Sequence, residues 1–265
     1  MAIHDPEEAA ELARLYDLDL AVEPGDVDIY RALAERTGGP IVELCAGSGR
    51  IAVPLAEAGF AVTGVDFDPA MLDRARARAA ASGPEVEARI TLVEGDLFQV
   101  AIPGAGSFRL AILPLNSILL LGGPRRRRAA FVVLAGLLGP GGVAVVEAWL
   151  PLAEDLARFD GRLGLEWVRR DPSTGHDVLK LSAAWYDSAT RAVTLTTIFD
   201  EGRPGESPRR WIREEALHLV AADELRIDAE DAGLEIEVVA GAYDLSPLQL
   251  SDERAIVVAR RPGSP

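Results

Sequence analysis

The chain contains one cysteine, Cys45, in 265 residues. A single thiol excludes an internal disulfide and any zinc site built from several cysteines. No Cys/His cluster has metal-ligand spacing, and no Ser/His/Asp arrangement is identifiable, so neither a metal nor a covalent nucleophile is expected. Long apolar runs are missing as well. The segment "LAILPLNSILLLGG" is broken by Pro114, Asn116 and Ser117 and is too short to span a bilayer. The N-terminal stretch "MAIHDPEEAAELARLYDLDL" has no basic region followed by an apolar run, so it does not read as a secretory signal, and a cytoplasmic location is expected. Positive charge is in deficit: 27 Lys and Arg against 42 Asp and Glu give a formal charge of −15. An acidic surface repels phosphate backbones and anionic lipid, so no nucleic-acid or membrane partner is expected.

What is present is a rhythm of strands and helices. Helix formers run from Glu7 to Leu15, and a second helix follows in "GDVDIYRALAERTGG", with Asp26 placed to cap it and Gly38 and Gly39 to end it. Five β/α steps come next. "PIVELCAG" reads as a buried strand and "SGRIAVPLAEAG" as a helix. "FAVTGVD" is a strand, and "DPAMLDRARARAAASG" is a helix capped by Asp68 with Pro69 at its first position. "ARITLVEGD" and "FRLAILPL" are strands, "RRAAFVVLAGLLGPGG" is a helix and "VAVVEAWL" is the fifth strand. Such alternation implies right-handed crossovers and a parallel sheet. The arginine run Arg125 to Arg128 reads as the solvated first turn of a helix in preference to an anion site.

After Pro151 the pattern changes to four extended segments with turn signals between them, from about Leu163 to Val220. Their alternation suits antiparallel strands. A helix in "AADELRIDAEDAG" and two closing strands, predicted to pair as a hairpin at the sheet edge, complete the chain. The expected organisation is one domain over 1–265. It has an N-terminal helical cap (1–39), a cofactor-binding core (40–162), an antiparallel β insertion acting as lid (163–220), and a final helix and strands (221–265). The fold class is α/β, with a Rossmann-like seven-stranded, mostly parallel sheet.

The glycine turn after the first strand opens a helix, which is the geometry of an adenosine-cofactor site. Gly47-Ser48-Gly49-Arg50-Ile51-Ala52 satisfies the dinucleotide pattern G-x-G-x-x-A, so a nicotinamide-dependent oxidoreductase stands as an alternative. Asp66, ending the second strand, could hold a ribose diol in either case. Three features favour a different adenosine cofactor. Glu43 lies in the first strand, where an acid would repel a pyrophosphate and suit a methionine ammonium. "EGD" (Glu94 to Asp96) follows the third strand, where a carboxylate can accept from an adenine amino group. The chain then ends in a hairpin instead of a second β/α half.

On these residues the segment from Ile41 to Gly95 resembles the class I S-adenosylmethionine-dependent methyltransferases. "VELCAGSGR" resembles their glycine motif, "VTGVDFDPAML" their ribose motif and "EGDLF" their adenine loop. The resemblance implies S-adenosyl-L-methionine as cofactor and assigns roles by position. Cys45, Ala46, Gly47 and Gly49 would lie along the methionine and ribose portions, and Glu43 at the amino-acid end. Asp66 would bind the ribose hydroxyls, Phe67 and Met71 would flank the adenine, and Asp96 with Leu97 would meet its edge and ring. Pro114, with Leu115 and Asn116, would pass beneath the donor methyl, and Tyr16 and Tyr30 on the N-terminal helices would cover the donor. The family often has glycine where Cys45 stands.

The insertion, with Trp167, Trp185, Trp211, Tyr186 and Phe199, resembles the roof of methyltransferases for small metabolites and natural products. A small-molecule or short-peptide acceptor is therefore expected, an amine ahead of a hydroxyl. Candidate groups facing it are Glu147, Asn116 and His218, with Tyr243 and His176 as weaker choices. A homodimer is an open assembly state, a non-methylating S-adenosylmethionine-binding protein is a further alternative, and the Ala-, Arg- and Gly-rich composition suits a high-GC bacterial source.

Overall fold

The computed structural model describes residues 5–22, 25–203, 205 and 207–263. Two compact units divide the chain, one of residues 23–150 and 220–265, the other of residues 1–22 and 151–219.

The larger unit is built on a seven-stranded sheet. Its strands are β1 (Ile41–Leu44), β2 (Val62–Asp66), β3 (Ile90–Glu94), β4 (Phe108–Leu113), β5 (Leu138–Trp149), β10 (Glu235–Ala240) and β11 (Arg254–Arg260), in the spatial order β10-β11-β5-β4-β1-β2-β3. The first five run parallel; β11 runs antiparallel to both β5 and β10, as the closing hairpin required. The four residues of β1 are all buried, which a central parallel strand covered on both faces needs. The strand order reverses between β1 and β4, so a ligand crevice opens at the carboxyl ends there.

Local chemistry explains most helix ends. The Asp68 carboxylate accepts the Ala70 amide at 2.9 Å and Pro69 starts α4 (Pro69–Ala81). Gly38, with φ 77°, ends α2 (Val27–Thr37). Asp26 departs from expectation: its side chain makes no cap bond to α2 and is taken instead by Arg50. The helix after the glycine turn, α3 (Ala52–Glu57), is shorter than its sequence pattern, and short helices α5 (Pro84–Glu87) and α6 (Ser117–Leu120) also form.

Helix α7 (Pro124–Leu137) stops before Gly139, Gly141 and Gly142, which the sequence pattern assigns to it; β5 already begins at Leu138. A side chain at Gly142 would sit 2.7 Å from the Phe108 carbonyl oxygen, so close strand approach requires the glycine. The arginine run is not uniformly solvated either. Arg127 is buried and its guanidinium bonds Asp228 of α9 (Ala222–Asp231), because that face of α7 packs on α9. A buried cation must be paired, and Asp228 supplies the pair.

The smaller unit holds α1 (Pro6–Asp19), a short unforeseen helix α8 (Ala153–Arg158), and an antiparallel sheet in the order β6 (Gly164–Arg170), β7 (Asp177–Asp187), β8 (Ala192–Gly202) and β9 (Arg209–His218). One sheet face is closed by α1: Leu12, Leu15 and Leu18 pack with Val178, Phe199 and Trp211. The Trp167 indole donates to Asp19 at 2.9 Å, and Arg14 bonds Asp171 and Glu201. Three of the aromatic residues read as lid residues are thus core residues of this unit.

Candidate functional site

In the larger unit the ends of β1, β2, β4 and β5 carry a set of acids and strained turns. The glycine loop follows β1. Cys45, Gly47 and Gly49 all adopt left-handed backbone, with φ of 57°, 53° and 74°. Glycine tolerates that region freely and cysteine does not, which explains why the family often has glycine where Cys45 stands. Burial pushes the Cys45 thiol far above its ordinary pKa, with the Asp66 and Glu43 carboxylates adding to it, so it is no thiolate nucleophile. A side chain at Gly49 would press on Ala75 and Val53 at 3.1–3.3 Å.

The N–H groups of this loop are already engaged. Gly47 donates to the Asp66 carboxylate at 2.8 Å, and Gly49 donates to the Ala46 carbonyl at 3.0 Å. The backbone of Ala52, the first residue of α3, bonds the Glu43 side chain. A pyrophosphate bound at a glycine turn needs such donors free. Here a carboxylate or carbonyl has taken those of Gly47 and Gly49, and the carboxylates beside the loop favour a cation over an anion.

Three buried carboxylates shape the field. Glu43 is 2% exposed and its Oε2 has no hydrogen-bond partner among the described residues. Burial raises its pKa to about 8, with Arg50 opposing and Asp26 and Asp66 reinforcing the shift. Asp66 accepts Gly47 N–H on one oxygen and Asp68 N–H at 3.0 Å on the other. Burial raises its pKa against those two bonds. The Phe67 backbone N–H also bonds it, and the carboxylate keeps capacity for a ribose hydroxyl.

Glu147 is held by four donors. Oε2 accepts from the Tyr30 hydroxyl at 3.2 Å and the Leu115 amide at 3.3 Å. Oε1 accepts from the Tyr243 hydroxyl at 2.8 Å and Arg254 at 3.3 Å. Burial raises its pKa, while Tyr243 and Arg254 pull it back. Both tyrosines are in turn shifted upward by burial and by the Glu147 charge. Leu115, with φ 52°, is a strained turn residue of the β4–α6 connection, and Asn116 Oδ1 accepts the Trp149 amide at 2.8 Å. The loop after β4 is thereby pinned twice to β5.

The larger unit holds Tyr30 on α2, Met71 on α4, Glu43 in β1 and Glu147 in β5, with Cys45, Ala46, Gly47, Gly49, Asp66, Phe67, Asp96, Leu97, Pro114 and Asn116 at the ends of β1 to β4 and on the loops that follow them. Phe67 is exposed at 68% and Leu97 is buried. Asp96 is not free: it accepts from Phe98 N–H at 3.0 Å and from Arg126 at 2.9 Å. Tyr16 and His218 belong to the other unit, where Tyr16 lies beneath Arg213 and His218 ends β9. His176, also there, faces Glu201 at 3.4 Å. Sequence reasoning missed Asp26, Arg50 and Arg254. Their partners are 24 or 107 residues distant, and no local pattern signals such pairs. Among the described residues no group of three or more His, Cys, Asp or Glu is placed to hold a metal ion, and no described helix is long and apolar enough to cross a membrane.

Residues 41–142, from β1 into β5, match the model of the methyltransferase-domain family. This segment is a methyltransferase domain. The methyltransferase domain is also similar to an uncharacterised protein of Mycobacterium tuberculosis, 37% identical over 117 residues, which are 44% of this chain and 39% of that protein. The match therefore spans about two fifths of the length of this curated relative. The whole fold is similar to the CcbJ methyltransferase from Streptomyces caelestis, with TM-score 0.77 and 23% identity over 91% of this chain and 97% of that one. It is likewise similar to the sugar N-methyltransferase KedS8 from a Streptoalloteichus species, with TM-score 0.71 and 20% identity over 93% and 92%. At such identity the likeness concerns the fold, which includes the antiparallel sheet that follows the methyltransferase domain.

Proposed function

We propose that the protein transfers a methyl group from S-adenosylmethionine to an amine of a small molecule or short peptide. The observation that supports the donor is the engaged glycine turn, with the Asp66 carboxylate on Gly47, the Ala46 carbonyl on Gly49 and Glu43 on the start of α3. An acid-lined cradle fits a donor that carries a sulfonium and an ammonium. Gly47, Gly49, Cys45 and Ala46 would lie along it. Asp66 would take the ribose hydroxyls on its spare lone pairs, and Glu43 Oε2 would meet the amino-acid end. Phe67, Met71 and Leu97 would flank the adenine, and Asp96 would share its carboxylate between Arg126 and the adenine amino group. Tyr30 would cover the donor, and Pro114 would lie under the methyl.

When bound, S-adenosylmethionine supplies a methyl group already activated by its sulfonium. The chain's own residues must then align the acceptor, exclude water and set its protonation. An amine reacts only when neutral. In this reading the Glu147 charge draws an ammonium toward the β4–β5 strand ends, and Asn116 orients it through its remaining amide N–H groups. The amine preference is supported by the excess of carboxylates at the strand ends and by the fold likeness to a sugar N-methyltransferase. A cytoplasmic role in bacterial natural-product chemistry is consistent with that likeness.

Thermal shift with S-adenosylhomocysteine and with NAD tests the donor: the first should raise the melting temperature and the second should not. A screen of amines, phenols and peptides with isotopically labelled donor tests the reaction, with the gain of one labelled methyl on an amine as the expected mass. Stabilisation by NAD alone would overturn the donor assignment. Donor binding without methylation of any acceptor would overturn the transferase assignment.

A further inference from the structure

Within the arginine run that opens α7, Arg126 has a partner of its own. Arg127 is buried and bonded to Asp228 of α9, which fixes how α7 is turned. Arg126, one step around the helix, meets the loop after β3. Its Nη2 donates to Asp96 Oδ2 at 2.9 Å, and its Cζ lies 4.6 Å over the Phe98 ring. The ring and the carboxylate together hold the guanidinium in place. The backbone of the loop is fixed without Arg126. Gly95 N–H donates to the Asp66 carbonyl at 2.9 Å, and the Asp96 carbonyl accepts from Gln99 and Val100 N–H at 2.8 and 2.9 Å. A side chain at Gly95, where φ is 154°, would meet Val100 at 2.8 Å, so the turn closes tightly.

What is left to set is the rotation of the Asp96 carboxylate. Phe98 N–H holds Oδ1 at 3.0 Å. Arg126, with Gln99 Nε2 at 3.4 Å, holds Oδ2. The two oxygens thereby become unequal: Oδ2 carries the cation, and Oδ1 keeps a lone pair beside its one amide donor. We propose that Arg126 is the positioning residue for the adenine end of the donor, turning the Asp96 carboxylate so that Oδ1 accepts the 6-amino group of the base while the guanidinium neutralises Oδ2. This inference rests on the donor reading above. A hydrogen bond from a neutral amino group depends on direction and weakens steeply when its acceptor turns away. The ion pair is half-exposed, with side chains 50% and 34% accessible at Arg126 and Asp96, so it adds little to folding stability. Its effect lies in recognition of the base, and removing it separates recognition from folding.

Titration calorimetry of the full chain tests the proposal with three ligands: S-adenosylhomocysteine, its analogue lacking the purine 6-amino group, and its 2′-deoxy analogue. The wild type should bind the parent about tenfold more tightly than the analogue without the amino group. In Arg126→Met that ratio should fall to about threefold or less, while the ratio for the 2′-deoxy analogue and the melting temperature stay unchanged. Arg126→Lys keeps the cation and should restore the amino-group ratio to at least about fivefold. Asp96→Ala should lower the ratio as far as Arg126→Met does or further, and adding Arg126→Met to it should lower it no more. A purely structural role for Arg126 would move both ratios together. A wild-type amino-group ratio near one, a ratio that survives in Arg126→Met, or both ratios falling together in that variant would each overturn the proposal and leave the donor reading standing. A wild type that binds none of the three ligands would overturn the donor reading and the proposal with it.

Discussion

Arg50 grips Asp26 with both ends of its guanidinium, Nη1 to Oδ1 at 2.5 Å and Nη2 to Oδ2 at 2.6 Å, and the carboxylate is fully buried. The pair ties the entry of α2 to the residue that follows the glycine turn. Asp26 also lies within electrostatic reach of both Glu43 and Glu147, so it couples the two halves of the acid-lined site.

Removing one partner of that pair leaves the other charge in the interior. Asp26→Ala should cost about 3–5 kcal/mol of folding stability, whereas Asp26→Leu with Arg50→Met should cost much less. Urea unfolding followed by circular dichroism measures both. A single variant that loses under about 1 kcal/mol would show that the pair is dispensable.

Glu43 makes stability depend on pH. Its pKa is about 8 in the folded chain against an ordinary 4.5. The folded state therefore holds the proton more tightly. The resulting stability is complete below pH 4.5 and drains away as pH rises to 8. The span is 8 − 4.5 = 3.5, which at about 1.36 kcal/mol per pH step bounds the loss at about 5 kcal/mol. Glu43→Gln should flatten the unfolding free energy of the donor-free protein across this window. Parallel pH curves for the variant and wild type would refute the assignment.

Cys45 occupies left-handed backbone at φ 57°. Cys45→Gly should leave stability within about 1 kcal/mol of wild type, since relief of strain offsets the greater freedom of the unfolded chain. Cys45→Val should lose about 2 kcal/mol or more, because a β-branched residue is least tolerant of that region. Equal melting temperatures for the two variants would contradict the strain argument.

Tyr243 donates to Glu147 at 2.8 Å, and Arg254 lies 4.2 Å over its ring. Tyr243→Phe removes a bond that holds the Glu147 pKa down. On the proposed activity, kcat should fall about tenfold and the acidic limb of the pH–rate profile should move to higher pH, while the Kd for S-adenosylhomocysteine stays within about twofold. Weaker nucleoside binding at unchanged kcat would instead move the Glu147 cluster to the donor side.

The strand–helix alternation was legible because its signals are local. An apolar run of β1, the Asp68-Pro69 helix start and the Gly38 stop each act within a few residues. The strand ends that carry the glycine turn, Asp66 and Asp96 were legible for the same reason, since each lies at or just past the end of a strand. Where a local signal competed with a distant partner, the distant partner won. Asp26 had the position of a cap and became an ion-pair partner, and Arg127 had the setting of a solvated turn and became buried against α9.

The residue order alone thus determined which segments are strands and helices, which turns need glycine, and which adenosine-type cofactor the loop resembles, since hydrophobic period and turn chemistry are written in neighbouring residues. Tertiary structure alone decided that four separate elements converge on Glu147 and that the Gly47 and Gly49 amides are already engaged. Those facts arise from strand register and packing between residues far apart in the chain, where burial energy and paired charges outweigh any local preference.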